Sequence, residues 1–132
     1  RLRDAPLESI GLPRTRAATL RTLSAAVADG RLSFEAGQPL QDFVERATAL
    51  PGIGAWTAQY IAMRALALLD AFPAGDLVLQ QRLAPPGRAR LSERATEARS
   101  QAWRPWRAYA VLHLWHLPAD IAENCNMETA AA

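Results

Sequence analysis

Leu50-Pro51-Gly52-Ile53-Gly54-Ala55-Trp56-Thr57-Ala58 decides how the rest of this 132-residue chain is read. Two glycines one residue apart let the backbone turn through positive φ angles and let another segment approach closely. Residues 55–69 are rich in good helix formers, so the turn opens directly into a helix. The first N–H groups of such a helix have no intrahelical partner and carry the positive end of its dipole. A short glycine turn feeding a helix N-terminus therefore suits a phosphate. Residues 41–49 also read as helix, which gives helix, hairpin, helix. Glycine turns equally serve as plain connectors, and the glycines alone leave both readings open.

On either side of this stretch the pattern stays helical. Pro6 fits the first turn of a short helix ending near Gly11. Ala17, Leu20, Leu23, Ala26 and Val27 recur at three- and four-residue spacing within 15–28, and Gly30 is placed to stop that helix. Pro39 restarts a helix whose inner face carries Leu40, Phe43, Val44 and Ala47. After the turn Phe72-Pro73-Ala74-Gly75, Asp76 begins a short apolar helix that Pro85-Pro86-Gly87 breaks. Ser92 is a suitable N-cap for a helix to about residue 103, and Pro105 opens a final one to about 117. No stretch alternates or is β-branched enough for a strand. The expectation is an all-α bundle of about six to seven helices in one domain, 1–118. A weakly patterned tail, 119–132, is expected to be mostly disordered.

Composition narrows the class. At this length, with half its residues apolar, the chain can bury one core. No apolar run reaches membrane-spanning length, and even residues 60–69 are interrupted by Arg64. No membrane partner and a cytoplasmic location are expected. The single cysteine, Cys125, excludes an internal disulfide and a four-cysteine iron–sulfur cluster. A net charge of +2 is only a mild bias towards polyanions. All fifteen basic residues are arginine, with no lysine anywhere.

Several side chains could carry chemistry, and each has a plain structural reading beside it. Asp76 follows a turn and heads a helix, which is the position of an N-cap. Asp70 falls at the end of a helix, where the dipole disfavours a carboxylate, and is expected to be solvated. Trp56 and Tyr60, four apart, share a helix face, and aromatics at that spacing commonly pack a core. Trp103 and Trp106 read as packing residues, with Trp106 the stronger anchor. His113 and His116 have ligand spacing but no accompanying cysteine or carboxylate cluster, so a hydrogen-bonded packing role is expected for His113. Cys125 has no partner at motif spacing.

The longer pattern is more specific. Leu-Pro-Gly-Ile-Gly-x-Trp-Thr-Ala-x-Tyr at 50–60, Asp76 followed by Gln81-Arg82, and Trp106-Arg-x-Tyr-Ala-x-Leu-His-x-Trp at 106–115 resemble the helix–hairpin–helix DNA glycosylases. Within them the match is to the branch that removes alkylated purines, the 3-methyladenine DNA glycosylase II family. The resemblance runs from about Leu7 to about Leu117. It begins inside the family's helical domain, which implies that the first helices of that domain are not included.

The resemblance implies Asp76 as the catalytic carboxylate and Trp56, Tyr60 and Trp115 as aromatic walls of the base pocket. Gly52, Gly54 and Thr57 would contact the DNA backbone. The carbonyls of Thr48, Leu50 and Ile53 would hold a structural sodium, potassium or calcium ion. Many members place a proline just before the aspartate; here Gly75 stands there, which is expected to loosen the turn. Related strand-cleaving members carry a lysine where this chain has Trp56, so lysine-dependent strand cleavage is excluded. The expected activity is hydrolysis of the N-glycosidic bond of 3-methyladenine- or 7-methylguanine-type bases flipped from duplex DNA. No cofactor would be required. The protein would be a monomer, with the bacterial nucleoid as its place of action. Two alternatives remain: a non-catalytic helix–hairpin–helix DNA-binding module, and a glycosylase for oxidised or mismatched bases.

Overall fold

The computed structural model describes residues 2–118 and is helical throughout that range, with no strand among the described residues. The tail 119–132, with Cys125, lies outside them. Six α-helices follow in order: α1 (Arg14–Ala28), α2 (Leu40–Thr48), α3 (Ala55–Ala65), α4 (Leu77–Arg82), α5 (Glu93–Ser100) and α6 (Arg107–His116). Short 3-10 turns occupy Leu2–Asp4, Leu7–Ile10 and Gln101–Trp103. The chain divides into two compact units, the first ending at Ala67 and the second beginning at Leu68.

In the first unit, α1 starts after Pro13, and Gly30 turns at φ +71° two residues past its end. Of its apolar repeat, Ala17 and Ala26 are buried, whereas Leu20 and Val27 remain exposed. Arg21 ties α1 to the preceding 3-10 turn: its two terminal nitrogens donate to the Glu8 carboxylate at 2.7 and 2.6 Å, and one also donates to the Ala5 carbonyl. Those charge-assisted bonds hold the Glu8 carboxyl down to about 2. α2 follows Pro39 and packs against α3 through Phe43 and Ala47, both fully buried. Phe34 meets Phe43 edge-on, with ring centroids 5.9 Å apart. α3 is shorter than its composition suggests. It ends at Ala65, because Leu66 is drawn into the core and Ala67 takes a left-handed φ of +51°. Helix propensity is a weak preference that such packing overrides.

In the second unit, Phe72, Pro73, Leu79 and Val111 are fully buried, and α4 packs on both α5 and α6. Ser92 caps α5, its Oγ accepting the Ala95 N–H at 3.2 Å. α6 buries Arg107, Ala108 and Val111. Trp106 is the N-cap of that helix, off its buried face, and is 55 % exposed against the equally exposed Tyr109. The anchor is thus Trp103 and not Trp106 as expected: it is half-buried and tilts against Phe72 at 6.3 Å.

Candidate base-excision site

In the first unit the hairpin joins α2 to α3. Leu50 and Ile53 are buried and fix the turn, with the Ile53 N–H donating to the Leu50 carbonyl at 3.1 Å. Only one of the two glycines takes a positive φ. Gly52 sits at +88°, and a Cβ there would collide with the Thr19 hydroxyl of α1. Gly54 is extended, at φ −88° and ψ 171°, and a Cβ on it would meet nothing within 4 Å. Its place is the N-cap of α3. With no side chain to act as acceptor, it leaves the helix's first N–H groups open to an external anion.

One turn into α3, Trp56 and Tyr60 do not form two separate walls. Their rings stack on each other, with centroids 5.1 Å apart and planes 14° apart. Trp56 is 41 % exposed and Tyr60 half-buried, so the pair makes one two-ring platform.

In the second unit, Asp76 is half-buried and serves as the N-cap of α4. Its Oδ1 accepts the N–H groups of Val78 and Leu79, each at 3.0 Å. The same oxygen accepts the indole N–H of Trp115 from α6, at 3.2 Å. The structural and functional readings of Asp76 are thus not exclusive. Capping turns the carboxylate, and Trp115 joins it side chain to side chain across 39 residues of sequence. The turn before Asp76 is closed in spite of Gly75: the Asp76 N–H donates to the Pro73 carbonyl at 2.8 Å. Gln80, buried on α4, adds a bond from its amide to the Ala74 carbonyl at 3.1 Å.

Asp70 is not solvated and does not end a helix. Its side chain is 18 % exposed and receives Arg107 Nε at 2.7 Å, Arg107 Nη2 at 3.1 Å and Arg104 Nη2 at 2.8 Å. The Arg107 guanidinium, itself nearly buried, also bonds Glu97 at 2.7 Å and lies 5.9 Å from the centre of the Phe72 ring. With both carboxylate oxygens bonded to arginine, Asp70 is a structural anchor. The resemblance contained Arg107 within its final motif but assigned it nothing; its partner lies 37 residues away. Sequence alone held no signal for Gln80 or Thr19.

His113 is exposed rather than packed, and it is His116 whose Nδ1 lies 2.7 Å from the Leu112 carbonyl. No group of three or more His, Cys, Asp and Glu side chains that could hold a metal ion occurs among the described residues. Nor is any described helix long and apolar enough to cross a membrane.

No protein-family model matches the chain. It is 43 % identical over 109 residues to a probable bifunctional transcriptional activator/DNA repair enzyme AlkA of Mycobacterium tuberculosis, covering 80 % of this chain and 21 % of that protein. It is 34 % identical over 110 residues to the DNA-3-methyladenine glycosylase 2 of Escherichia coli, covering 83 % of this chain and 37 % of that one. The chain thus spans well under half the length of these curated relatives. Among solved structures, a DNA-3-methyladenine glycosidase from Bacillus halodurans superposes with a TM-score of 0.76 at 31 % identity, covering 91 % of this chain and 57 % of that chain. The Schizosaccharomyces pombe 3-methyladenine DNA glycosylase Mag1, in complex with abasic DNA, shares the fold at TM-score 0.76 and 22 % identity, covering 86 % of this chain and 59 % of that one. The fold, the hairpin and the identity over these segments agree: the chain belongs to the helix–hairpin–helix DNA glycosylases, in their 3-methyladenine DNA glycosylase branch.

Proposed function

We propose that this chain carries the excision site of a monomeric, cytoplasmic DNA repair glycosylase that hydrolyses the N-glycosidic bond of alkylated purines in duplex DNA. The observation that carries the reading is the Asp76 carboxylate, held by two backbone N–H groups and the Trp115 indole. As the bond from C1′ to the base nitrogen breaks, its electron pair leaves with the base and positive charge develops on the deoxyribose. A fixed carboxylate stabilises that charge and orients the water that adds to C1′, because charge interactions strengthen where water is excluded. The products are the free base and an intact strand with an abasic site.

A base within the stack is out of reach, so the nucleotide must be flipped, at a cost of a few kcal/mol that is least for damaged pairs. An alkylated purine is cationic and already leaves readily. The electron-rich face of Trp115 beside the carboxylate, and the Trp56–Tyr60 platform in the first unit, would each attract such a ring by roughly 0.5–2 kcal/mol. In this reading the N–H groups of Gly52 and Gly54, with the Thr57 hydroxyl, hold a phosphate without reading sequence. The carbonyls of Thr48, Leu50 and Ile53 are hard oxygen donors, which suits a sodium, potassium or calcium ion. Such an ion would add positive charge beside the bound phosphate. The proposed hydrolysis needs no redox cofactor, cluster or lysine.

The test is a lesion panel. Duplexes carrying 3-methyladenine or 7-methylguanine, an oxidised purine, or a mismatch are incubated with the protein and the released bases quantified. The expected result is release of the alkylated purines, unnicked strands before alkali, and no enzyme–DNA adduct on borohydride treatment. Release confined to oxidised or mismatched bases, binding without release, or a trapped adduct would overturn the reading.

A further inference from the structure

Beside the hairpin, on the first unit, lies a groove of about 450 Å³ lined by Leu12, Thr15, Arg16, Thr19, Leu20 and Gly52. Gly52 belongs both to this groove and to the turn whose N–H groups the proposed function assigns to a DNA phosphate. The opposite wall is the start of α1, which reaches the turn so closely that Gly52 tolerates no Cβ against Thr19. Arg16 supplies the charge in this lining. Its side chain is exposed and makes no ion pair or hydrogen bond with any described residue. Arg21, one turn and a residue further along the helix, is by contrast tied to Glu8.

The first turn of α1 is also electrostatically inverted. A helix N-terminus favours carboxylates, by about 0.3–1 kcal/mol each. Here it carries Arg14 and Arg16 and no acidic residue. Unpaired cations at the positive end of a helix oppose their own setting unless an anion is brought to them. The groove is otherwise walled by two leucines and two threonines, a surface that suits the apolar face of a deoxyribose. A charged, backbone-tracking polyanion meets these demands together, and the groove is continuous with the hairpin already assigned to one of its phosphates.

We propose that Arg16 is a DNA-backbone contact, seating in this groove a second phosphate next to the one held at the hairpin. The inference rests on the excision reading and deepens it, by extending the DNA-facing surface from the hairpin onto α1. Arg16 acts on affinity and register, and takes no part in breaking the glycosidic bond.

The experiment measures binding to a duplex containing an abasic-site analogue, and to the undamaged duplex, by fluorescence anisotropy between 50 and 200 mM salt. Each phosphate neutralised contributes about 0.9 to the slope of log K against log salt. Arg16→Gln is expected to lower that slope by about 0.9 on both duplexes and to leave excision at saturating DNA unchanged; Arg16→Lys is expected to keep the slope. Arg31→Gln, which removes a charge paired with Asp29 beyond the far end of α1, itself about 18 Å from Arg16 along the helix, is expected to change nothing. Wild-type binding with an unchanged slope in Arg16→Gln overturns the inference and leaves the excision reading standing. An equal loss in Arg31→Gln also overturns it, as a general charge effect. Wild-type protein that binds neither duplex overturns both.

Discussion

At Gly52 a φ of +88° and the approach of the Thr19 hydroxyl bear on the same missing Cβ. The positive φ could be anticipated from the glycine spacing, but the neighbour could not, because Thr19 comes from a helix 33 residues earlier. Gly54, one turn position on, needs neither freedom, and its value lies in being a cap without a side chain. Gly52→Ala is therefore expected to lose the roughly 1–2 kcal/mol of a left-handed alanine and a further amount for displacing Thr19. Adding Thr19→Ala should recover the second part only; urea denaturation of the two variants reads the difference, and a Gly52→Ala protein as stable as wild type would contradict the geometry. Trp115 likewise has more to it than an aromatic wall, since its N–H reaches Asp76. Trp115→Phe keeps a ring and deletes the donor. Because a hydrogen bond to a charged group contributes about 1.5–3 kcal/mol, excision at saturating DNA should fall about ten- to hundredfold while affinity for abasic-analogue DNA stays within about twofold. Loss of affinity with an unchanged rate would assign Trp115 to binding alone.

The helices after Pro39, Asp76 and Ser92 began where those residues said they would, because such signals act through a residue's own backbone and its next turn, whereas α6 starts two residues past Pro105, with Trp106 as its cap. Their ends and exposed faces were less readable. α3 stops four residues before its helix-forming composition runs out, at the point where Leu66 is buried. Trp106 faces outward because capping α6 puts it off the face that Arg107, Ala108 and Val111 bury. Asp70 shows the same limit from the side of charge. Its ionic partners stand more than thirty residues later in the chain, so sequence position suggested water where the fold supplies two arginines. The Asp70–Arg107 pair, together with the Ala108 N–H bond to the Leu69 carbonyl at 2.8 Å, fastens the segment that leads to Asp76 onto the start of α6. Asp70→Asn leaves a nearly buried guanidinium short of its main counter-charge and is expected to cost about 3–5 kcal/mol in unfolding measurements. Replacing both partners, as Asp70→Asn with Arg107→Met, should cost less than Asp70→Asn alone. A single variant of wild-type stability would show that the pair is not a structural anchor.

Across the chain, the all-helical fold and the hairpin were legible because a helix reports its periodicity locally and the hairpin's glycines stand within five residues of one another. The division at Ala67 and Leu68 was not, since it depends on which distant side chains cluster. The candidate site has the same character: its members could be named one by one, but the bond from Trp115 to Asp76 required the fold. The central claim is that this carboxylate stabilises the charge that develops as the base leaves. Asparagine caps a helix about as well as aspartate, so Asp76→Asn removes the charge while sparing α4. The decisive measurement is single-turnover release of 3-methyladenine from alkylated duplex DNA by the wild-type and Asp76→Asn proteins, alongside their binding to an abasic-site analogue. The account predicts at least a hundredfold slower release, equivalent to about 3 kcal/mol of transition-state stabilisation, with binding retained. Release by Asp76→Asn at a near-normal rate would contradict it.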